Sequence, residues 1–124
     1  MVAADPVAAI FQDAHEVHAS ALRKLAEGDV RDAAEKAWCA TKRATDALIL
    51  ARTGEEPPTT SLTSRGLDSL ARTDSVVKPL VGRYYSRITQ LHGECFYNGI
   101  CDPEETERRI RETADYIWDA ENLA

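Results

Sequence analysis

Residues 29–54 read DVRDAAEKAWCATKRATDALILARTG, and this stretch decides the architecture. Asp29 supplies a carboxylate in front of the first helical turn, and Gly54 supplies a stop that tolerates a left-handed backbone. Between them Ala34, Ala37, Trp38, Thr41, Ala44, Leu48 and Ala51 recur at three- and four-residue steps, the spacing of one helix face. Most of that face is methyl groups, so a neighbouring helix can approach closely, and Trp38 adds bulk to an otherwise thin stripe. Glu35-Lys36 falls at the solvent edge.

The same punctuation repeats on both sides. Upstream, Asp5-Pro6 places a cap before a proline at the first helical position; Phe11, Ala14, His18, Ala21, Leu22 and Leu25 follow at helical spacing, and Gly28 ends the helix. Downstream, Glu55-Glu56-Pro57-Pro58-Thr59-Thr60 is an extended connector. Ser61 to Arg72 reads as a shorter helix carrying Leu62, Leu67 and Leu70, with Gly66 inside it. Thr73-Asp74-Ser75 offers a new cap to a fourth helix over residues 76–97, whose stripe is Val77, Leu80, Val81, Tyr84, Ile88, Leu91 and Cys95. Asn98-Gly99 closes it. Asp102-Pro103 then opens a last helix with Glu105 three residues after the cap, as in a capping box, and with Thr106, Ile110, Thr113, Ala114, Ile117 and Leu123 on one face. No alternating pattern calls for a sheet. The predicted fold is all-α: an antiparallel up-and-down bundle of four long helices plus one short helix, forming a single domain over residues 1–124.

With 124 residues, 44% of them apolar, the chain can bury one core. Its net charge of -6 repels phosphate overall, so contact with nucleic acid requires a local basic patch. No apolar run approaches the roughly 20 residues that span a bilayer. The opening residues Met1 to Pro6 lack the charge and apolar core of a secretion signal, so a cytoplasmic protein without membrane contact is expected. Three cysteines in that setting argue against disulfides; Cys39, Cys95 and Cys101 read as small buried or boundary thiols. His15 and His18 lie three apart with no third ligand placed beside them, and no phosphate loop, nucleophile elbow or zinc-protease motif is present. Neither a metal nor a cofactor is expected.

The stretch with chemical potential is Arg87-Ile88-Thr89-Gln90-Leu91-His92. Arginine offers a planar fork for two phosphate oxygens, and histidine moves protons near neutral pH. Five residues of ideal α-helix turn the chain by about 140° net, so the two flank the apolar stripe rather than share a face. Arg83, four residues before Arg87, extends a basic fringe with Lys78, Arg108, Arg109 and Arg111. The plainer reading of the last three is helix-surface pairing with Glu104, Glu105, Glu107 and Glu112. Tyr84, Tyr85 and Tyr97 are candidates for stacking on bases, against packing as the plainer reading.

Glu27-Gly28-Asp29 and Glu35-Lys36-Ala37-Trp38, followed by Leu91-His92, Phe96-Tyr97 and an acidic capped last helix, resemble small proteins of the HEPN (higher eukaryotes and prokaryotes nucleotide-binding) superfamily, and most of all its small prokaryotic PaREP-type family. The resemblance spans most of the chain and is weakest over Pro57 to Asp74. It implies a four-helix bundle that forms homodimers. Active members are metal-independent ribonucleases with an arginine, four to six residues and a histidine, a spacing that Arg87 and His92 match. Active members usually carry a polar residue directly after the arginine, where this chain has Ile88.

The resemblance therefore implies Arg87 and His92 as catalytic residues in an RNA-cleaving or RNA-binding component of a toxin–antitoxin or defence system with an antitoxin-type partner protein, and the residue types add Arg83, Tyr84 and Tyr97 as candidates at the substrate. The alternative is a non-catalytic module of the same shape that binds a nucleotide or another protein.

Overall fold

The computed structural model describes residues 5–124; Met1 to Ala4, part of the segment read above as lacking a leader, lie outside the described residues. Five α-helices follow one another: α1 (Pro6–Ala26), α2 (Val30–Thr53), α3 (Thr60–Thr73), α4 (Lys78–Arg87) and α5 (Pro103–Leu123). No strand is present among the described residues. The expected fourth helix is thus two-part: α4 runs directly into a π-helical segment, Ile88–Tyr97.

The caps are where local chemistry places them. Asp5, Asp29 and Asp102 each accept backbone N–H groups of the turn that follows, and Gly28, Gly54 and Gly99 take positive φ just beyond helix ends. Two expectations fail here. Glu105 does not close a capping box, because its carboxylate is held by Arg108 at 2.6 Å. Asp74 does not cap α4 but accepts from Val76 N–H in the turn before it, and α4 has no side-chain cap.

Long-range contacts set the directions. His15 and His18 of α1 meet Glu121 and Ile110 of α5, so those helices run antiparallel. Arg31 and Glu35 of α2 meet Phe96 and His92 in the same reversed order. Arg83 and Arg87 of α4 meet Asp119 and Thr113 of α5, again reversed. The four long elements alternate up and down, and α3 lies across α2 and α4.

The core is one contiguous cluster with α2 at its centre. Besides the predicted stripe, Ala33, Ala40, Thr45, Asp46, Ala47 and Ile49 are buried, so α2 is covered on more than one face, while Ala51 is exposed. Trp38 is buried as expected and meets Tyr84 edge-on at 5.3 Å. Gly66 of α3 packs against Ile49, and a Cβ there would come within 2.8 Å of Ile49 Cδ1, so a larger residue would require the Ile49 side chain to shift.

Buried polar groups are satisfied in short chains. Tyr116 O–H donates to Thr45 Oγ1 at 2.7 Å, since the Thr45 hydroxyl is itself donated to Thr41 O. Asp46, 1% exposed, takes Lys42 Nζ at 2.7 Å and the Thr63 hydroxyl at 2.5 Å, fastening α3 to α2. His18 is also buried, and its Nε2–H donates to Ile110 O at 2.8 Å. Burial pushes its pKa below the usual 6.5, against the opposing effect of that hydrogen bond.

His18 therefore gives a pH signature. Its folded pKa lies below its unfolded value, so as pH falls through about 6.5 the unfolded chain takes the proton first and stability is lost. Urea unfolding should show stability falling below that pH, and His18→Gln, which keeps a donor for Ile110 O, should remove up to about 1.4 kcal/mol per pH unit of that slope. Identical slopes in the two proteins refute the assignment.

Candidate functional site at the α4–π junction

At the junction of α4 and the π-helical segment, the two motif residues part company. Arg87 closes α4 and turns toward α5, where its Nε donates to Thr113 Oγ1 at 3.1 Å while Nη1 donates back to Arg83 O at 3.2 Å. His92 turns toward α2, where its Nδ1 lies 2.7 and 3.0 Å from the two oxygens of Glu35. One chain does not bring them together. The π-helical hydrogen bonds run five residues back, as from Asn98 N–H to Gly93 O at 3.1 Å. Such geometry usually occupies a single turn and often marks functional sites.

On the α5 side, Gly82, Arg83, Ser86 and Arg87 line a cavity of about 260 Å³ with Arg108, Arg109, Glu112 and Asp115. Arg83 is spoken for by Asp119 at 2.7 Å, and Arg108 by Glu105 and Glu112. Arg109 Nε donates to Ser86 Oγ at 3.0 Å. Arg87 differs from all of these. It is 4% exposed, and among the described residues no carboxylate forms an ion pair with it. Glu112 acts on it only through space. The Tyr116 ring, 5.6 Å from the guanidinium carbon, gives a cation–π contact. Burial first, and then repulsion from Arg83, lower its pKa from 12.5 to about 10, which sets about 3 kcal/mol against the charged form. Four arginines and two carboxylates line the cavity, and Asp119 and Glu105 just outside it pair with Arg83 and Arg108, so the charges balance and Arg87 is the arginine left without an ion-pair partner among the described residues.

On the α2 side, the half-buried His92 ring lies 6.2 Å from Trp38, 6.3 Å from Phe96 and 6.3 Å from Tyr97. Glu35, expected at the solvent edge, is partly exposed there and in addition is the partner of His92. Its register opposite the π segment is a tertiary fact that no local pattern encodes. Tyr97 is 74% exposed and open to a ligand. Tyr84, expected at the substrate, is fully buried, with its hydroxyl 2.7 Å from Ser64 Oγ, and serves the core. The remaining basic fringe follows the plainer reading: Arg108 pairs with Glu105 and Glu112, Arg109 with Glu105, and Arg111 with Glu107.

The absence of disulfides does not hold. Cys95, in the last π turn, is bonded to Cys101, in the loop before α5, and only Cys39 is free. The odd cysteine count concealed one pair and one single thiol. Burial of the thiol, and then the Glu35 charge, raise the Cys39 pKa, which disfavours the reactive thiolate.

The chain matches the archaeal PaREP1/PaREP8 family over residues 9–117, which takes in all of this site. It belongs to that family. No curated protein and no solved structure matches it. This PaREP1/PaREP8 protein is all-helical, and no helix among its described residues is long and apolar enough to cross a membrane.

Thiol titration of the unfolded PaREP1/PaREP8 protein checks the cysteine assignment. One reactive thiol is expected before reduction and three after it; three thiols before reduction refute the bond.

Proposed function

We propose that this PaREP1/PaREP8 protein is a HEPN-like bundle that binds a phosphate group of RNA or of a nucleotide in the cavity between α4 and α5, without being a nuclease complete in one chain. The observation that carries the reading is Arg87: a guanidinium in a buried site, lining a polar cavity, with no carboxylate among the described residues in ion-pair contact with it. A bound phosphate neutralises that charge and accepts from its fork. Arg109 and Ser86 add donors at the same wall. The volume, below the roughly 300–1,000 Å³ of pockets for drug-sized molecules, suits one phosphate rather than a whole nucleotide. The rest of the ligand then lies outside on the surface.

A second reading is favoured by one observation, the open Nε2 of His92 behind which Glu35 is hydrogen-bonded. In this reading the protein is a metal-independent ribonuclease. His92 accepts the 2′-hydroxyl proton as the 2′-oxygen bonds to phosphorus, the P–O5′ bond breaks and water protonates the leaving oxygen. Because Arg87 and His92 diverge, a site using both takes them from two copies in a homodimer. The antitoxin-type partner belongs to this second reading.

Arg87→Met separates binding from folding. A labelled single-stranded oligoribonucleotide should bind the wild type with an affinity that falls with salt, and the variant about 10-fold or more weaker. The unfolding free energy from urea titration should stay within about 1 kcal/mol of the wild type, since the variant removes a buried unpaired charge along with its hydrogen bonds. Equal binding by both proteins overturns the phosphate reading. Cleavage of RNA in EDTA that is lost in His92→Ala establishes the second.

A further inference from the structure

The three histidines of the chain use their ring nitrogens differently. His15 meets Glu121 through Nε2 at 3.0 Å, and His18 donates from Nε2 to Ile110 O at 2.8 Å. His92 alone is engaged through Nδ1, by both oxygens of Glu35, and its Nε2 has no partner among the described residues. An ionised carboxylate only accepts, so in the neutral ring the proton sits on Nδ1 and the lone pair on Nε2. A free neutral imidazole in water favours the opposite arrangement, with the proton on Nε2. Glu35 thus reverses the ring's own preference.

The pair is held from both sides. Glu35 rises from the most deeply buried helix, between Ala34 and Ala37, which are 0% exposed, so its backbone is fixed. Trp38, one turn of α2 away from Ala34 and itself 4% exposed, packs near the His92 ring. Phe96, nearly parallel to the ring at 21°, borders it from the π segment. The Arg31 fork donates from Nε and Nη2 to Phe96 O at 3.0 and 2.6 Å, tying the far end of that segment to the same helix. The Cys39 thiol is the other donor near Glu35, at 3.8 Å from Oε1, and leaves Oε2 wholly to His92. The ring remains half exposed on its open side, beside Tyr97.

We infer that Glu35 is the positioning residue of His92: it locks the Nδ1–H tautomer and so presents Nε2 as a ready proton acceptor to a hydroxyl-bearing ligand on the π-segment surface, the ribose 2′-hydroxyl in the ribonuclease reading on which this deepening rests. A carboxylate behind an imidazole plays the same part in serine-protease triads, where the wrong tautomer costs about 10⁴-fold in rate. Glu35 touches no substrate; its effect passes through the ring.

Nitrogen-15 NMR of the histidine rings, taken where they are neutral, reads the tautomers directly, and His18 is the internal reference. The expected wild-type spectrum has His18 protonated on Nε2 and His92 on Nδ1. Glu35→Ala should return His92 to the Nε2–H form and leave His18 unchanged; Glu35→Asp should keep a fraction in the Nδ1–H form. A wild-type His92 protonated on Nε2, or one that does not respond to Glu35→Ala, overturns the assignment, and the wild-type spectrum alone decides it if the variant fails to fold. Cleavage of an oligoribonucleotide in EDTA tests the reading beneath: Glu35→Ala should lower kcat about 100-fold or more with KM held. Absence of cleavage by the wild type, with the Nδ1–H tautomer present, refutes the ribonuclease reading and leaves the Glu35–His92 pair standing.

Discussion

Everything in this fold depends on how closely other helices approach α2. Its buried surface is mostly alanine and threonine, so backbones can come near on several sides without large side chains holding them apart. Alanine contributes little apolar area of its own, and the stabilising bulk comes from the partners: Phe11 from α1, Tyr84 and Leu91 from the fourth helix, Tyr116 and Ile117 from α5. The large polar side chains enter this crowded interior only with their hydrogen bonds arranged, as Tyr116 does through Thr45. Enlarging a buried α2 alanine would push against tightly packed neighbours.

Against that economical core, Arg87 is an anomaly. A fold under selection for stability alone gains by placing an apolar chain there, because burying an unpaired guanidinium is costly. Two neutral acceptors, Thr113 Oγ1 and Arg83 O, soften the cost without cancelling the charge. Charges retained at such expense cluster where ligands of opposite sign bind. On the other face of the same helix, His92 shows the complementary design: a half-exposed ring, a carboxylate behind it and an open nitrogen in front. In the readings proposed above, one face would handle charge and the other protons.

Much of the fold was legible in the sequence because helix ends are decided locally. Asp5-Pro6, Asp29 and Asp102-Pro103 begin helices and Gly28, Gly54 and Gly99 end them, through interactions that span six residues or fewer. The candidate site was legible as an inventory of residue types and hardly at all as geometry. Arg87 and His92 do point to different helices, but not through the α-helical rotation expected, since the residues between them are π-wound; and nothing local marks Glu35 as a histidine's partner across 57 residues. Tyr116 was missed although it lies beside the predicted stripe of α5, since the need that buries it is the Thr45 hydroxyl on another helix. The π-helical winding of residues 88–97 also escapes a reading built on 3.6 residues per turn. The Cys95–Cys101 pair escaped because the count of three argued for free thiols, while the turn at Gly99 brings those two together.

The fork of Arg31 has one more consequence. Helix ends usually fray independently, each at its own small free-energy cost. Here the first turn of α2 supplies the cation that satisfies the last carbonyls of the π segment, through Phe96 O and Tyr97 O. The N-terminal end of one helix and the C-terminal end of another are therefore coupled: fraying of either strips the fork's hydrogen bonds from both, so loosening the backbone beside Tyr97 also costs the start of α2.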